Sequence, residues 1–211
     1  MNGKANRVKS RTMRSFGLIA LLVLGCPGGA VAQDTGASPR NHCTESTRLL
    51  ATGCPTLELT GLYLVESWDF NGRPKDLLEG GTAALSLTVR DGWGVAIELV
   101  GMRVDQKPSS AFLGGMSILF RKRLGEGTRR LTFFVEGGLG VSYATLEVPL
   151  RGTQFNYLVQ AGGGATHRLG RRASAILDLR YFHLSNASLN GPDHNPDIQA
   201  LGGHAGILLW F

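Results

Sequence analysis

From Leu57 onward the chain alternates apolar and polar residues with a period of two, run after run, and this pattern limits the fold more than any other feature. In "GTAALSLTVR" the residues Ala83, Leu85, Leu87 and Val89 alternate with Thr82, Ser86, Thr88 and Arg90. In "LTFFVEGGLGVSY" the apolar row is Leu131, Phe133, Val135, Leu139, Val141 and Tyr143, with Glu136 on the other face. "FNYLVQAGGGA" and "ASAILDLRYF" repeat the pattern. Successive side chains of a strand point to opposite faces, so period two reads as β-structure with two unlike faces. Eight such runs are expected, at about 57–68, 82–90, 93–104, 111–121, 131–144, 154–167, 172–185 and 201–211. The 30 glycines argue against helices.

One face of each informative run is apolar, and the other mixes polar groups with charges of both signs. A soluble sandwich or lipocalin-like barrel would turn the apolar face inward, and alternation alone does not exclude that. Three features favour a transmembrane barrel instead. The runs exceed the usual soluble strand length. Their number is even, with short breaks such as "RDG" alternating with long ones such as "DFNGRPKDLLEGG". The sequence also closes on "AGILLWF", with Ala205, Ile207, Leu209 and Phe211 on one face, a C-terminal pattern that outer-membrane barrels share. The fold class expected is therefore all-β, an eight-stranded antiparallel transmembrane β-barrel. Side chains fill the lumen of a barrel this narrow. Glu58, Glu66, Arg90, Glu98, Glu136, Asp178 and Arg180 are expected to pair there, leaving no pore. The run at 111–121 is apolar on both faces and carries no directional information.

Three segments are expected: a signal peptide at 1–32, an N-terminal extension at 33–56 and the barrel at 57–211. Lys4, Arg7, Lys9, Arg11 and Arg14 precede the apolar "FGLIALLVLG", and "AVA" before Gln33 reads as a cleavage site. The apolar run is too short to span a bilayer as a helix, so it reads as an export signal. The formal net charge of +6 then belongs mostly to the leader, leaving 17 Lys+Arg against 16 Asp+Glu. That balance sets nucleic-acid binding aside. Leu24 stands where a lipoprotein signal carries a small residue, so lipidation of Cys26 stays open. Cys43 and Cys54 are expected to pair in an oxidising compartment.

Chemistry concentrates in "YFHLSNASLNGPDHNPDIQ". His183 and Ser185 share parity with Leu177, Leu179 and Tyr181, whereas Asp178 and Arg180 mark the lumen face. The pair thus points outward, toward lipid. Residues i and i+2 are about 6.6–6.8 Å apart at Cα on one side of a strand, within reach of an imidazole–hydroxyl contact. A polar pair on a lipid-facing strip costs free energy unless it has partners or a task. Two other readings stay open: the strand has left the hydrocarbon by residue 183, or a bulge turns the pair inward. The functional reading is a serine nucleophile with a histidine base. Asp193, His194 and Asp197 lie in a Gly-Pro and Asn-Pro loop that reads as an extracellular turn rather than a metal site. No metal or cofactor is expected.

"AILDLRYF" followed by "HLSNASLNGPDHNPDIQ" resembles the C-terminal signature of the lipid A 3-O-deacylase (PagL) family. "LTFFVEGGLGVS" resembles that family's fifth-strand segment, and the likeness runs from about Leu57 to Phe211. The resemblance implies an eight-stranded outer-membrane barrel that hydrolyses the ester holding the 3-hydroxyacyl chain at the 3-position of lipid A, without a metal. It implies Ser185 as nucleophile, His183 as general base and Asn186 in the oxyanion hole, with lipid A of lipopolysaccharide as partner. Homodimerisation is left open. Two positions depart from the family. Its acidic residue is a glutamate in a "G-I-E" context, which here reads "D-I-Q" and places Gln199. Gln199 can orient the imidazole but supplies no charge; Asp193 and Asp197 are the alternative acids, and Gln199→Glu is expected to raise the rate. Ser188 stands where the family usually has an oxyanion-hole glycine, and it serves only if its φ permits. The competing expectation, favoured by Gln199, is a weak or inactive barrel that binds lipopolysaccharide or serves a structural role.

Overall fold

The computed structural model describes residues 53–68, 75–107, 109–125, 130–189, 191 and 195–211. The expected leader, Cys26, Cys43, Asp193 and His194 lie outside them. Eight strands follow in order: β1 (Pro55–Glu66), β2 (Leu77–Arg90), β3 (Trp93–Gln106), β4 (Ser109–Leu124), β5 (Leu131–Val148), β6 (Thr153–Arg168), β7 (Ala173–Ser185) and β8 (Ile198–Trp210). Each pairs antiparallel with its chain neighbours, and β1 pairs with β8, so the sheet closes into a barrel.

Alternation decides which way each side chain points. Leu59, Leu85, Leu99, Phe112, Leu139 and Leu177 all lie exposed on the outer surface. In water such an apolar belt would be a severe liability; in a bilayer it is the favourable face. The long segments 67–76 and 186–197 join strands at one end of the barrel, while the Asp91–Gly92 turn and the 169–172 turn lie at the other. The end with longer loops is the extracellular end in barrels of this type.

The lumen is filled. Arg121 grips Glu58 with both terminal nitrogens, at 2.6 and 2.9 Å, and its Nε donates to Glu136 at 2.8 Å. Arg180 lies 2.5 Å from Glu136 and 2.7 Å from Glu98. Gln160 completes the chain by donating to Glu98 and to Ser117. Room for Arg180 comes from its two cross-strand neighbours, Gly162 on β6 and Gly202 on β8. A Cβ at Gly162 would stand 2.5 Å from the Leu179 carbonyl oxygen and 3.3 Å from Arg180 Cγ. Toward the extracellular end the lumen turns apolar, with Leu64, Leu158, Phe182, Leu184 and Ile198 fully buried.

Several boundaries differ from the sequence reading. β2 begins at Leu77, because Leu77–Gly81 pair with β1 and β3 although "LLEGG" reads as loop. β8 likewise begins at Ile198, and β1 begins at Pro55, inside the expected extension. Arg90 is not in the lumen. The ladder shifts register between Thr88 and Arg90 beside the Asp91–Gly92 turn, and Arg90 pairs outside with Asp91 at 3.0 Å. Arg121 and Arg123 of β4 occupy the lumen instead. Cys54 is disulfide-bonded.

Candidate active site

β7 carries the lumen charges Asp178 and Arg180 on its even positions and ends on Phe182 and Leu184, both fully buried inside. Strict alternation through this strand sends Tyr181, His183 and Ser185 outward. No bulge interrupts the β6–β7 or β7–β8 ladder, so the inward-turned alternative fails. The His183 side chain is 29% exposed, while Ser185 is 9% exposed because the chain folds back beside it. Among the described residues no hydrogen bond joins His183 to Ser185. Such contacts are often long before substrate binds.

The neighbours on the outer surface are set by register. Val159 stands opposite His183 on β6, and Tyr157 opposite Ser185. Leu139 and Val141 of β5 continue the two rows. This side of the pair is therefore an apolar wall, edged by Phe155 packed against Tyr157 at 5.4 Å between ring centroids. On β8 the position opposite His183 is Gln199. Its amide reaches Asp197, not the ring: Nε2 donates to Asp197 Oδ2 at 2.8 Å, and Oε1 accepts from the Tyr181 hydroxyl at 3.3 Å. Asp197 Oδ2 lies 3.6 Å from His183 Nδ1. Trp68 packs edge-on against Tyr181 at 6.1 Å, closing this flank.

After Ser185 the chain turns sharply. Asn186 Oδ1 accepts the Ser188 N–H at 2.9 Å, and the Leu189 N–H bonds the Asn186 carbonyl at 3.1 Å. Asn195 ties the returning segment down: its Oδ1 accepts the Asn186 N–H at 3.0 Å, and its Nδ2 donates to Ser188 Oγ at 3.2 Å. Ala187 and Ser188 hold φ of 52° and 59°, the left-handed region that suits glycine. Ser188 does adopt the backbone expected of a glycine, but its N–H is engaged within the turn. Tyr181, Asn195 and Trp68 escaped the sequence reading. Tyr181 alone was signalled there, by sharing the outer row with His183.

The described residues gather no group of three His, Cys, Asp or Glu suited to a metal ion. The arrangement sets an imidazole and a serine hydroxyl two residues apart on the outer row of β7, with a carboxylate 3.6 Å behind the ring, at the edge of an apolar wall. Those are the components of nucleophilic acyl transfer.

A closed barrel with a greasy exterior and an ion-paired lumen is the outer-membrane β-barrel class of Gram-negative bacteria. The structure resembles that of Neisserial surface protein A, with a TM-score of 0.58 at 12% identity over 74% of this chain and 97% of that one. The outer membrane protein OprG from Pseudomonas aeruginosa follows, at a TM-score of 0.49 and 13% identity over 76% of this chain and 97% of that one. No curated protein sequence matches the chain closely. The family model described as lipid A 3-O-deacylase (PagL) matches residues 76–207. The chain belongs to that family.

Proposed function

We propose that this protein is an outer-membrane ester hydrolase that removes the 3-O-linked 3-hydroxyacyl chain from lipid A. The observation that carries the reading is the outward placement of His183 and Ser185 on β7, beside an apolar wall at the loop end of the barrel. Ser185 Oγ attacks the ester carbonyl while His183 takes its proton. Carbonyl π-electrons move onto oxygen, which the Asn186 side-chain amide stabilises, since the Ser188 N–H is held by Asn186 Oδ1 within the turn. Collapse breaks the bond to the sugar oxygen, which leaves as an alcohol carrying the proton from His183. Water, deprotonated by His183, then attacks the acyl-serine and releases the 3-hydroxy fatty acid and Ser185. No cofactor takes part. The wall of Val159, Tyr157, Leu139 and Val141 suits an acyl chain lying along the barrel. The test is mass spectrometry of lipid A from cells expressing the protein. Loss of one 3-hydroxyacyl chain, abolished by Ser185→Ala and by His183→Ala, is expected; an unchanged lipid A in several hosts refutes the proposal.

One observation favours a second reading, a non-catalytic barrel that binds lipopolysaccharide. Gln199 takes the position of the family's glutamate, directly across from His183. A fluorophosphonate probe separates the two, since an inert barrel leaves Ser185 unlabelled.

A further inference from the structure

We infer that Asp197 supplies the carboxylate behind His183, and that Gln199 has become the clamp that holds it there. This inference rests on the proposed function and deepens it. It starts from where the hydrogen bonds run. Tyr181 Oη donates to Gln199 Oε1 at 3.3 Å, and Gln199 Nε2 donates to Asp197 Oδ2 at 2.8 Å. The same Oδ2 faces His183 Nδ1 at 3.6 Å. Four side chains from two strands and the loop entering β8 thus form one line ending at the imidazole.

Each link has a chemical consequence. A carboxylate facing Nδ1 fixes the tautomer with hydrogen on that nitrogen, leaving Nε2 as the base for a serine hydroxyl. Its negative charge stabilises the imidazolium formed when the hydroxyl proton is taken. The Gln199 amide carries no charge and, bonded to Tyr181 and Asp197, is turned away from the ring, but its N–H donation aims the carboxylate. The Tyr181 hydroxyl in turn fixes which end of the Gln199 amide faces Asp197. The 3.6 Å separation exceeds a formed N–H···O bond, and such contacts tighten once substrate is in place. Backbone geometry allows the exchange of roles. Gln199 is held as a ladder residue, with its carbonyl accepting from Ser67 N–H at 2.8 Å, whereas Asp197 lies just before the strand begins.

Asp197 is a positioning residue, so its test needs more than a loss of rate. Asp197→Asn keeps the shape and an acceptor for Gln199 while removing the charge. With purified protein in detergent micelles and lipid A as substrate, kcat should fall on the order of 10⁴-fold, by analogy with the serine-protease aspartate, with KM little changed. The double variant Asp197→Asn with Gln199→Glu moves the carboxylate to the position directly opposite His183. It should recover at least about tenfold over the single variant, as expected when the missing element is charge. A merely structural Asp197 would give neither the split nor the rescue. A single variant as fast as wild type, or a double variant no faster than the single, overturns the inference. Labelling of Ser185 by a fluorophosphonate provides the second readout, independent of lipid A. Slower labelling in Asp197→Asn, in a wild type that leaves lipid A intact, would refute the substrate and uphold the role of Asp197. Equal labelling rates alongside intact deacylation would do the reverse.

Discussion

Gln199 stands directly across the β7–β8 ladder from His183, yet its amide nitrogen points to Asp197 at 2.8 Å. The position that family resemblance marks for an acid is therefore occupied by a donor, and a carboxylate sits two residues earlier on the same segment. The ring, the amide and the carboxylate form one cluster.

That geometry reverses a simple expectation about Gln199→Glu. Read from sequence, the substitution restores a missing charge and raises the rate. In the structure it removes the donor to Asp197 and sets two carboxylates side by side, and like charges that close destabilise each other's ionised forms. Deacylation by the single variant should be no faster than wild type, and about two- to tenfold slower if the lost bond is worth the usual 0.5–1.5 kcal/mol. Steady-state kinetics on lipid A checks this, and a rate several-fold above wild type would show that Asp197 carries little of the role.

The turn after Ser185 offers a second prediction. Ser188 holds φ of 59°, next to Ala187 at 52°, so two consecutive residues with a Cβ occupy the left-handed region. For such residues that conformation costs roughly 1–2 kcal/mol each. Ser188→Gly should relieve the strain at one of them, but it also removes the Oγ that accepts from Asn195 Nδ2 at 3.2 Å. Relief should exceed the loss of one exposed hydrogen bond. A gain of roughly 0.5–1 kcal/mol in urea unfolding from lipid vesicles is expected, and a loss would mean that the Asn195 contact matters more than the backbone strain.

Much of this was legible in the sequence, for a physical reason. A barrel strand has only two environments, lipid and lumen, so parity alone sent His183 outward with Leu177 and Leu179, and Asp178 and Arg180 inward. Parity fails where its premises fail. β4 is apolar on both faces over 111–121, so the lumen position of Arg121 was hidden until Glu58 and Glu136 were seen to bracket it. Arg90 was misplaced because the register shift at the Asp91 turn leaves no trace in the alternation. In the site, the cross-strand neighbours of His183 depend on register between β7 and β8, which the sequence spacing across a long connection does not fix. Asp197 could be named as an alternative acid, but not preferred over Asp193.

The lumen yields the last prediction. Arg180 is almost fully buried and faces Glu98 at 2.7 Å, Glu136 at 2.5 Å and Asp178 at 3.4 Å. Three carboxylates around one guanidinium make the network depend on that cation, since Arg121 is already committed to Glu58 and Glu136. Arg180→Met keeps much of the volume between Gly162 and Gly202 but leaves buried negative charge without its partner. Breaking a buried ion pair from one side costs about 3–5 kcal/mol, more than the pair itself contributes. Urea unfolding in lipid vesicles should show a loss of that order. Removing Glu98 as well, in Arg180→Met with Glu98→Gln, should recover part of it, because the uncompensated charge is then smaller. A barrel whose midpoint is unmoved by Arg180→Met would mean that water in the lumen solvates these carboxylates.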